Sequence, residues 1–283
     1  MQHAAIEAEE IAIDAEGARL SGRLHRPSGE GRAIWVIHGA TGVPQGYYQP
    51  FARWLAAEHD AFVVTYDYRD FGASASGALK RSAATMADWG VRDQDAALEA
   101  ALRAAPGRPL RVLGHSLGGF MTPFHRNAGA VERLVAVASG RVHWSDHPPS
   151  YMAQIVAFWW LVGPAATAAM GYLPGRRIGL GADLPAGVYW QWRRWCTTRG
   201  FFAGDASLPE ASPEAFRGDL RLVALADDVT IPPPVVHRLA EAYPAARNVE
   251  RRVLAPADHG LGAVGHLGAF AARNAAIWPA LIG

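Results

Sequence analysis

Residues 112–119 read VLGHSLGG, with Ser116 set between Gly114 and Gly118, two positions away on each side. The run Leu110–Leu113 before the serine is strand-forming, and the LGGFMTPFHRNA stretch after it is compatible with a helix. In a sharp strand-to-helix turn, the residues two before and two after the apex pack against each other. Side chains there would clash, so glycine is required at both places, and the apex residue is held strained with its side chain exposed. A serine there is a candidate nucleophile. The competing reading is a glycine-rich turn that happens to carry a serine; the strand before and the helix-compatible stretch after favour the nucleophile.

A hydroxyl is a weak nucleophile alone, so this turn calls for an acid and then a histidine later in the chain. The apolar run LRLVALA ends in Asp227 and Asp228, followed by VTIPPP, which turns the chain away into a new helix. A carboxylate at the carboxyl edge of a strand faces the same crevice as the serine. Asp146, after the preceding strand, is a further candidate acid. VERRVLAP leads into ADHGLGAVGHLGAF, which offers His259 and His266. In this arrangement the acid fixes the imidazole tautomer and the histidine takes the serine proton. Two backbone N–H groups must meet the developing oxyanion. One is expected from Leu117, directly after the serine. The other is expected from Ala40 in HGATG, where Gly39 permits a tight turn.

Around these residues the chain alternates strand-like and helix-like stretches. EIAIDA and ARLSGRLHR read as an antiparallel pair joined at Glu16-Gly17. AIWVIHG, AFVVTYDY, LRVLGHS, LVAVASG, LRLVALAD and VERRVLAP follow, rich in Val and Leu without strict alternation, as suits strands buried on both faces of a parallel sheet. YYQPFARWLAAEH places Phe51, Trp54 and Leu55 on one helical face, and MADWGVRDQDAALEAALRAA has the same periodicity. Strand and helix repeated in this way predict right-handed crossovers.

The rhythm breaks once. Residues 141–216 separate LVAVASG from LRLVALAD and hold six of the ten tryptophans, too apolar a stretch for a solvated linker. The expected fold class is therefore α/β: an eight-stranded, mostly parallel sheet flanked by helices, with a helical lid inserted after strand 6. Residues 1–140 and 217–283 would form the core and 141–216 the lid, where Trp159, Trp190 and Trp192 are candidates to meet substrate.

Composition narrows the class. Half of the 283 residues are hydrophobic, ample for a large core, and a net charge of +1 gives no electrostatic reason to expect a nucleic-acid partner. Cys196 is the only cysteine and the acidic start MQHAAIEAEEIAIDAEG lacks the basic and apolar regions of a signal peptide, so a cytoplasmic protein is expected. From His147 to Gly175 there is no Asp, Glu, Lys or Arg. That stretch is long enough to span a bilayer. A span is not expected, because Trp159 and Trp160 sit inside it, Gly163-Pro164 interrupts it, and strands on both sides belong to one sheet. His143, Asp146 and His147 are metal-ligand types without a supporting pattern, and no metal or organic cofactor is expected. His38 and His115 read as structural residues beneath the loops, and Arg69 with Asp70 as a structural ion pair.

HGATG, YDYRDFGAS, GHSLGG, DDVTIP and GHLGAF, in this order, resemble the α/β-hydrolase superfamily. HGATGVPQGYY, DWGVRDQDAAL, GYLPGRR and DLPAGVYWQWRRWC are similar to a poorly characterised group of predicted bacterial α/β-hydrolases. The resemblance covers nearly the whole chain. It implies a hydrolytic triad with the acid four residues before a proline, which is Asp228, and the histidine of a Gly-His-x-Gly pattern, which is His266. At Asp70, relatives usually carry glycine. The expected activity is that of a serine hydrolase cleaving a partly apolar carboxylic ester, or related small acyl substrate, through an acyl-enzyme on Ser116. An acyltransferase with the same triad, or a ligand-binding protein on a decayed hydrolase scaffold, are the alternatives.

Overall fold

A computed structural model describes residues 8–283; residues 1–7, the start of the stretch read as lacking a signal peptide, lie outside it. The expected opening pair is β1 (Ala8–Ala15) and β2 (Ala18–His25), antiparallel. Then come β3 (Ala33–His38), α1 (Gln49–Glu58), β4 (Ala61–Tyr66), α2 (Gln94–Ala104), β5 (Leu110–His115) and β6 (Val131–Val137). The long connection holds α3 (Pro149–Ala157), α4 (Gly163–Met170), a two-residue pair β7 (Tyr172–Leu173) and β8 (Leu184–Pro185), and α5 (Ala186–Thr197). β9 (Asp219–Leu225), α6 (Pro233–Arg238), β10 (Asn248–Leu254), α7 (Gly265–Gly268) and α8 (Trp278–Ile282) close the chain.

The eight-stranded sheet runs β1-β2-β4-β3-β5-β6-β9-β10, and it is parallel from β4 to β10. Successive side chains of a strand point to opposite faces, and here both faces are covered. Ile34, Val36, Val112 and Leu134 face one core with α2, α5 and α6, while Trp35, Ile37, Leu113 and Val135 face another with α1 and α8. That explains apolar runs without alternation. β10 departs from the expectation: it is the edge strand, largely exposed, and its Arg251 and Arg252 leave little incentive for another strand to pair.

The chain leaves β3 for β4 on one side, then crosses to β5 on the other. The carboxyl ends of β3 and β5 therefore flank a crevice at the switch point. HGATG leaves one, and Ser116 leaves the other.

Two local expectations are corrected. No α-helix follows Ser116; short 3-10 turns occupy Ser116–Gly119, Thr122–Phe124 and Ala128–Ala130. Adjacent glycines are poor helix formers, and Pro123 lacks the N–H that a continuing helix needs. Nor do Arg69 and Asp70 pair. Arg69 donates through Nε to Asp93 Oδ1 at 2.8 Å and through its backbone N–H to Oδ2 at 2.8 Å. Burial pushes the Asp93 carboxyl up to about 6, against the opposing pull of Arg69. Asp70 keeps a left-handed backbone, φ 56°, and accepts from the Ser76 and Ser82 hydroxyls. Asp is among the few residues that tolerate that region.

Candidate active site

Ser116 sits at φ 54°, the strained apex expected of the turn. A Cβ on Gly114 would overlap the Gly118 carbonyl, and one on Gly118 would overlap the carbonyl of His38 at the end of β3. The first overlap is the expected one; the second shows that the turn is also wedged against the neighbouring strand. Ser139 Oγ, just past β6, donates to the Ser116 carbonyl at 2.6 Å, and Tyr243 Oη donates to the Gly119 carbonyl at 2.8 Å. Neither residue was singled out from the sequence.

Ser116, His266 and Asp228 come together. His266 Nε2 lies 3.1 Å from Ser116 Oγ, and His266 Nδ1 lies 2.8 Å from Asp228 Oδ2. A carboxylate only accepts, so Nδ1 carries the proton and Nε2 is left to accept from the serine hydroxyl. Asp228 is buried, and its other oxygen, Oδ1, accepts from the Thr230 and Ile231 amides at 2.8 and 3.0 Å. The two amides thus fix Oδ1 and leave Oδ2 facing His266.

The other candidates have different partners. Asp227 Oδ2 accepts from the Val264 and Gly265 amides at 2.8 and 2.9 Å, gripping the loop that carries His266. Asp146 pairs with Arg238, and His147 Nδ1 meets the Val229 carbonyl. His259 lies in the Pro256–His259 turn and does not line the cavity beside Ser116.

One expected oxyanion donor is corrected. The Ala40 amide donates to Tyr48 Oη at 2.8 Å, so it is already engaged. Thr41, next in the loop, lines the cavity with Ser116 and Leu117, and its amide has no partner among the described residues. Tyr48 Oη is also 2.8 Å from His115 Nδ1, and His115 Nε2 is 3.0 Å from the His266 carbonyl. Burial drives the His115 pKa down to about 3, so the ring is neutral. Because a carbonyl can only accept, Nε2 bears the proton and Nδ1 accepts from the tyrosine hydroxyl. The bonds run without interruption from Ala40 N–H through Tyr48 and His115 to the backbone of His266. Tyr47 adds a second tie, its hydroxyl donating to the Leu267 carbonyl.

A Tyr48→Phe variant should therefore leave the Ala40 amide and His115 Nδ1 buried without partners. The expected loss is about 1–3 kcal/mol in urea unfolding. A loosened His266 should lower kcat about tenfold with KM changed less than about twofold. Unchanged kcat would show that the relay does not position the histidine.

The serine and histidine open onto a cavity of about 560 Å³. Its walls include Phe120, Phe158, Trp159, Trp192, Trp195 and Phe201, and among the described residues no Lys, Arg, Asp or Glu lines it. Trp159 and Trp192, two of the candidates to meet substrate, are thus placed on its wall. Trp190 is not: it is 40% exposed on the outer side of α5, because Tyr189, Gln191 and Trp195 take the inward side. Cys196 also lines the cavity, with burial pushing its thiol well above the usual range, and so it is inert.

The family described as serine aminopeptidase, S33, a family of α/β-hydrolases, matches residues 30–172, which contain HGATG, Ser116 and the strands between them. The chain belongs to this α/β-hydrolase family. Among solved structures, this hydrolase is similar to a monoglyceride lipase of Saccharomyces cerevisiae, with TM-score 0.62, 13% identity, and coverage of 90% of this chain and 87% of the other. It is also similar to a hypothetical protein of Pseudomonas aeruginosa, with TM-score 0.61, 14% identity, and coverage of 99% and 94%. An esterase of Pyrococcus furiosus aligns with TM-score 0.55, 14% identity, and coverage of 98% and 89%. At such identities they establish the shared fold. No curated protein matches the hydrolase.

Proposed function

We propose that this hydrolase cleaves carboxylic esters carrying an apolar group, through an acyl-enzyme on Ser116. The observation that carries the reading is the unbroken Ser116–His266–Asp228 contact beside an uncharged aromatic cavity. Ser116 Oγ attacks the ester carbonyl while His266 Nε2 takes its proton. Asp228 holds the imidazole in the accepting tautomer and stabilises its cationic form. The amides of Leu117 and Thr41 bind the tetrahedral oxyanion, Leu117 at the start of a helical turn where N–H groups lack internal partners. Collapse returns the proton to the leaving alcohol, and a water activated by the same imidazole frees the acid and restores Ser116.

Residues 141–216 act as a lid over a core of 1–140 and 217–283, since Val142 through Phe201 supply most of the cavity wall. The substrate is an ester rather than a peptide with a free amino terminus. A cationic terminus needs a carboxylate within reach, and the cavity lining has none among the described residues.

A fluorophosphonate probe should label the wild type and not Ser116→Ala. On p-nitrophenyl esters of increasing acyl length, kcat/KM should rise by up to about fourfold per added methylene until the cavity is filled. A preference for acetate over every longer acyl group would overturn the apolar-substrate reading, and an unlabelled wild type would overturn the serine mechanism.

A further inference from the structure

α3, the π-helical turn Phe158–Val162 and α4 form one continuous helix, Pro149–Met170, of 22 residues, with mean hydropathy 1.3 over its most apolar 18 residues. The expected interruption at Gly163-Pro164 does not occur. Pro164 lies in the first turn of α4, and the wider π turn before it relieves the ladder. Ile155, Trp159, Gly163 and Thr167, spaced by four, turn inward. Apolar residues also lie outside that stripe: Val156, Trp160 and Leu161 are exposed, Leu161 to 67%, and Val162 is exposed at the rim of the cavity. A helix apolar all round belongs in a core or in lipid, yet only 22% of its most apolar stretch is buried by the protein. Five of the nine exposed large hydrophobic residues among those described lie on this helix or at Trp190 of neighbouring α5. Concentration on one side marks an interaction surface rather than scattered exposure.

Charge identifies the partner. Between His147 and Gly204 the one acid is Asp183 and there is no Lys or Glu; of the five arginines Arg194 pairs with Asp205 just beyond, while Arg176, Arg177, Arg193 and Arg199 have no ion pair among the described residues. Arg176 and Arg177 are exposed just beyond the helix, and the Arg193 guanidinium lies 6.0 Å from the Trp160 ring centroid. Two copies of this face would bring like charges together, whereas an anionic lipid surface complements both the arginines and the apolar side chains. β6 and β9 pair directly, so both ends of the connection return to the same sheet.

We propose that the outer face of the Pro149–Met170 helix, rimmed by Arg176, Arg177 and Arg193, seats the protein on an anionic lipid surface without crossing it. Val162 and Leu267 are exposed and also line the cavity, so its entrance lies beside the seated face. Docking does not depend on the ester chemistry. The test is flotation of the full chain with phosphatidylcholine vesicles, with and without phosphatidylglycerol. Wild type and Ser116→Ala should bind the anionic vesicles equally, and neutral vesicles more weakly. Leu161→Asp should weaken binding about tenfold or more, and Arg176→Gln with Arg177→Gln about fivefold per charge removed. Both sites are exposed and outside the cavity, so hydrolysis of a short soluble ester should persist in both variants. The proposal is overturned if wild type floats with neither vesicle, or if both variants bind like wild type. It is equally overturned if wild type forms a dimer that Leu161→Asp dissociates, which would assign the face to a second copy.

Discussion

Ser116→Ala should lower kcat on a p-nitrophenyl ester by roughly four to six orders of magnitude while leaving the fold intact. Adding His266→Ala should cost almost nothing more, because the two groups act as one unit. Asp228→Asn is the sharper test. Its side-chain oxygen must stay where Oδ1 is now, since two amides, Thr230 and Ile231, donate there. The NH₂ group then faces His266 and donates to Nδ1. The ring proton is forced onto Nε2, which can no longer accept from Ser116. A loss of roughly 10³- to 10⁴-fold in kcat is expected with little change in KM. Retention of more than about one-tenth of wild-type kcat would mean that the imidazole is oriented by something else.

How much of this site was legible in the sequence depended on how local each cause is. The turn at Ser116 was legible because its two glycines answer a clash between residues four apart. The central strands were legible because burial on both faces leaves no room for polar alternation. β10 misled, since its exposure follows from its rank in the sheet, which no short stretch encodes. Asp227 and Asp228 are adjacent and chemically identical; one grips the Val264–Gly265 backbone and the other the His266 ring, a division set by where the strand ends. The family pattern separated them when composition could not. The Ala40 amide looked free for the oxyanion because its partner, Tyr48, lies on the far side of the loop. Trp190 and Trp192 are two apart on one helix, so only packing could reveal which one faces the cavity.

Gly118→Ala should be severely damaging for a single added methyl group. The added Cβ would overlap the carbonyl and Cβ of His38, and neither can retreat. β3 is hydrogen-bonded on both sides in the centre of the sheet, and the buried His38 ring is tied to Tyr66 Oη at 2.7 Å. Burial holds that ring well below the usual histidine range, so it is neutral. The strain must go into the turn itself, which already keeps Ser116 at positive φ. A destabilisation of about 3–5 kcal/mol is expected in urea unfolding, at the upper end for overpacking. Displacing Ser116 Oγ by about 1 Å should also cut kcat roughly 100-fold in the molecules that remain folded. Gly46→Ala is the control: a Cβ there meets nothing within 4 Å, and Gly46 is itself exposed in the turn Gln45–Tyr48 before α1. That change should stay within about 0.5 kcal/mol of wild type. If Gly118→Ala matched it in both stability and kcat, the turn would have slack that the overlap denies, and the rigid presentation of Ser116 would have to be abandoned.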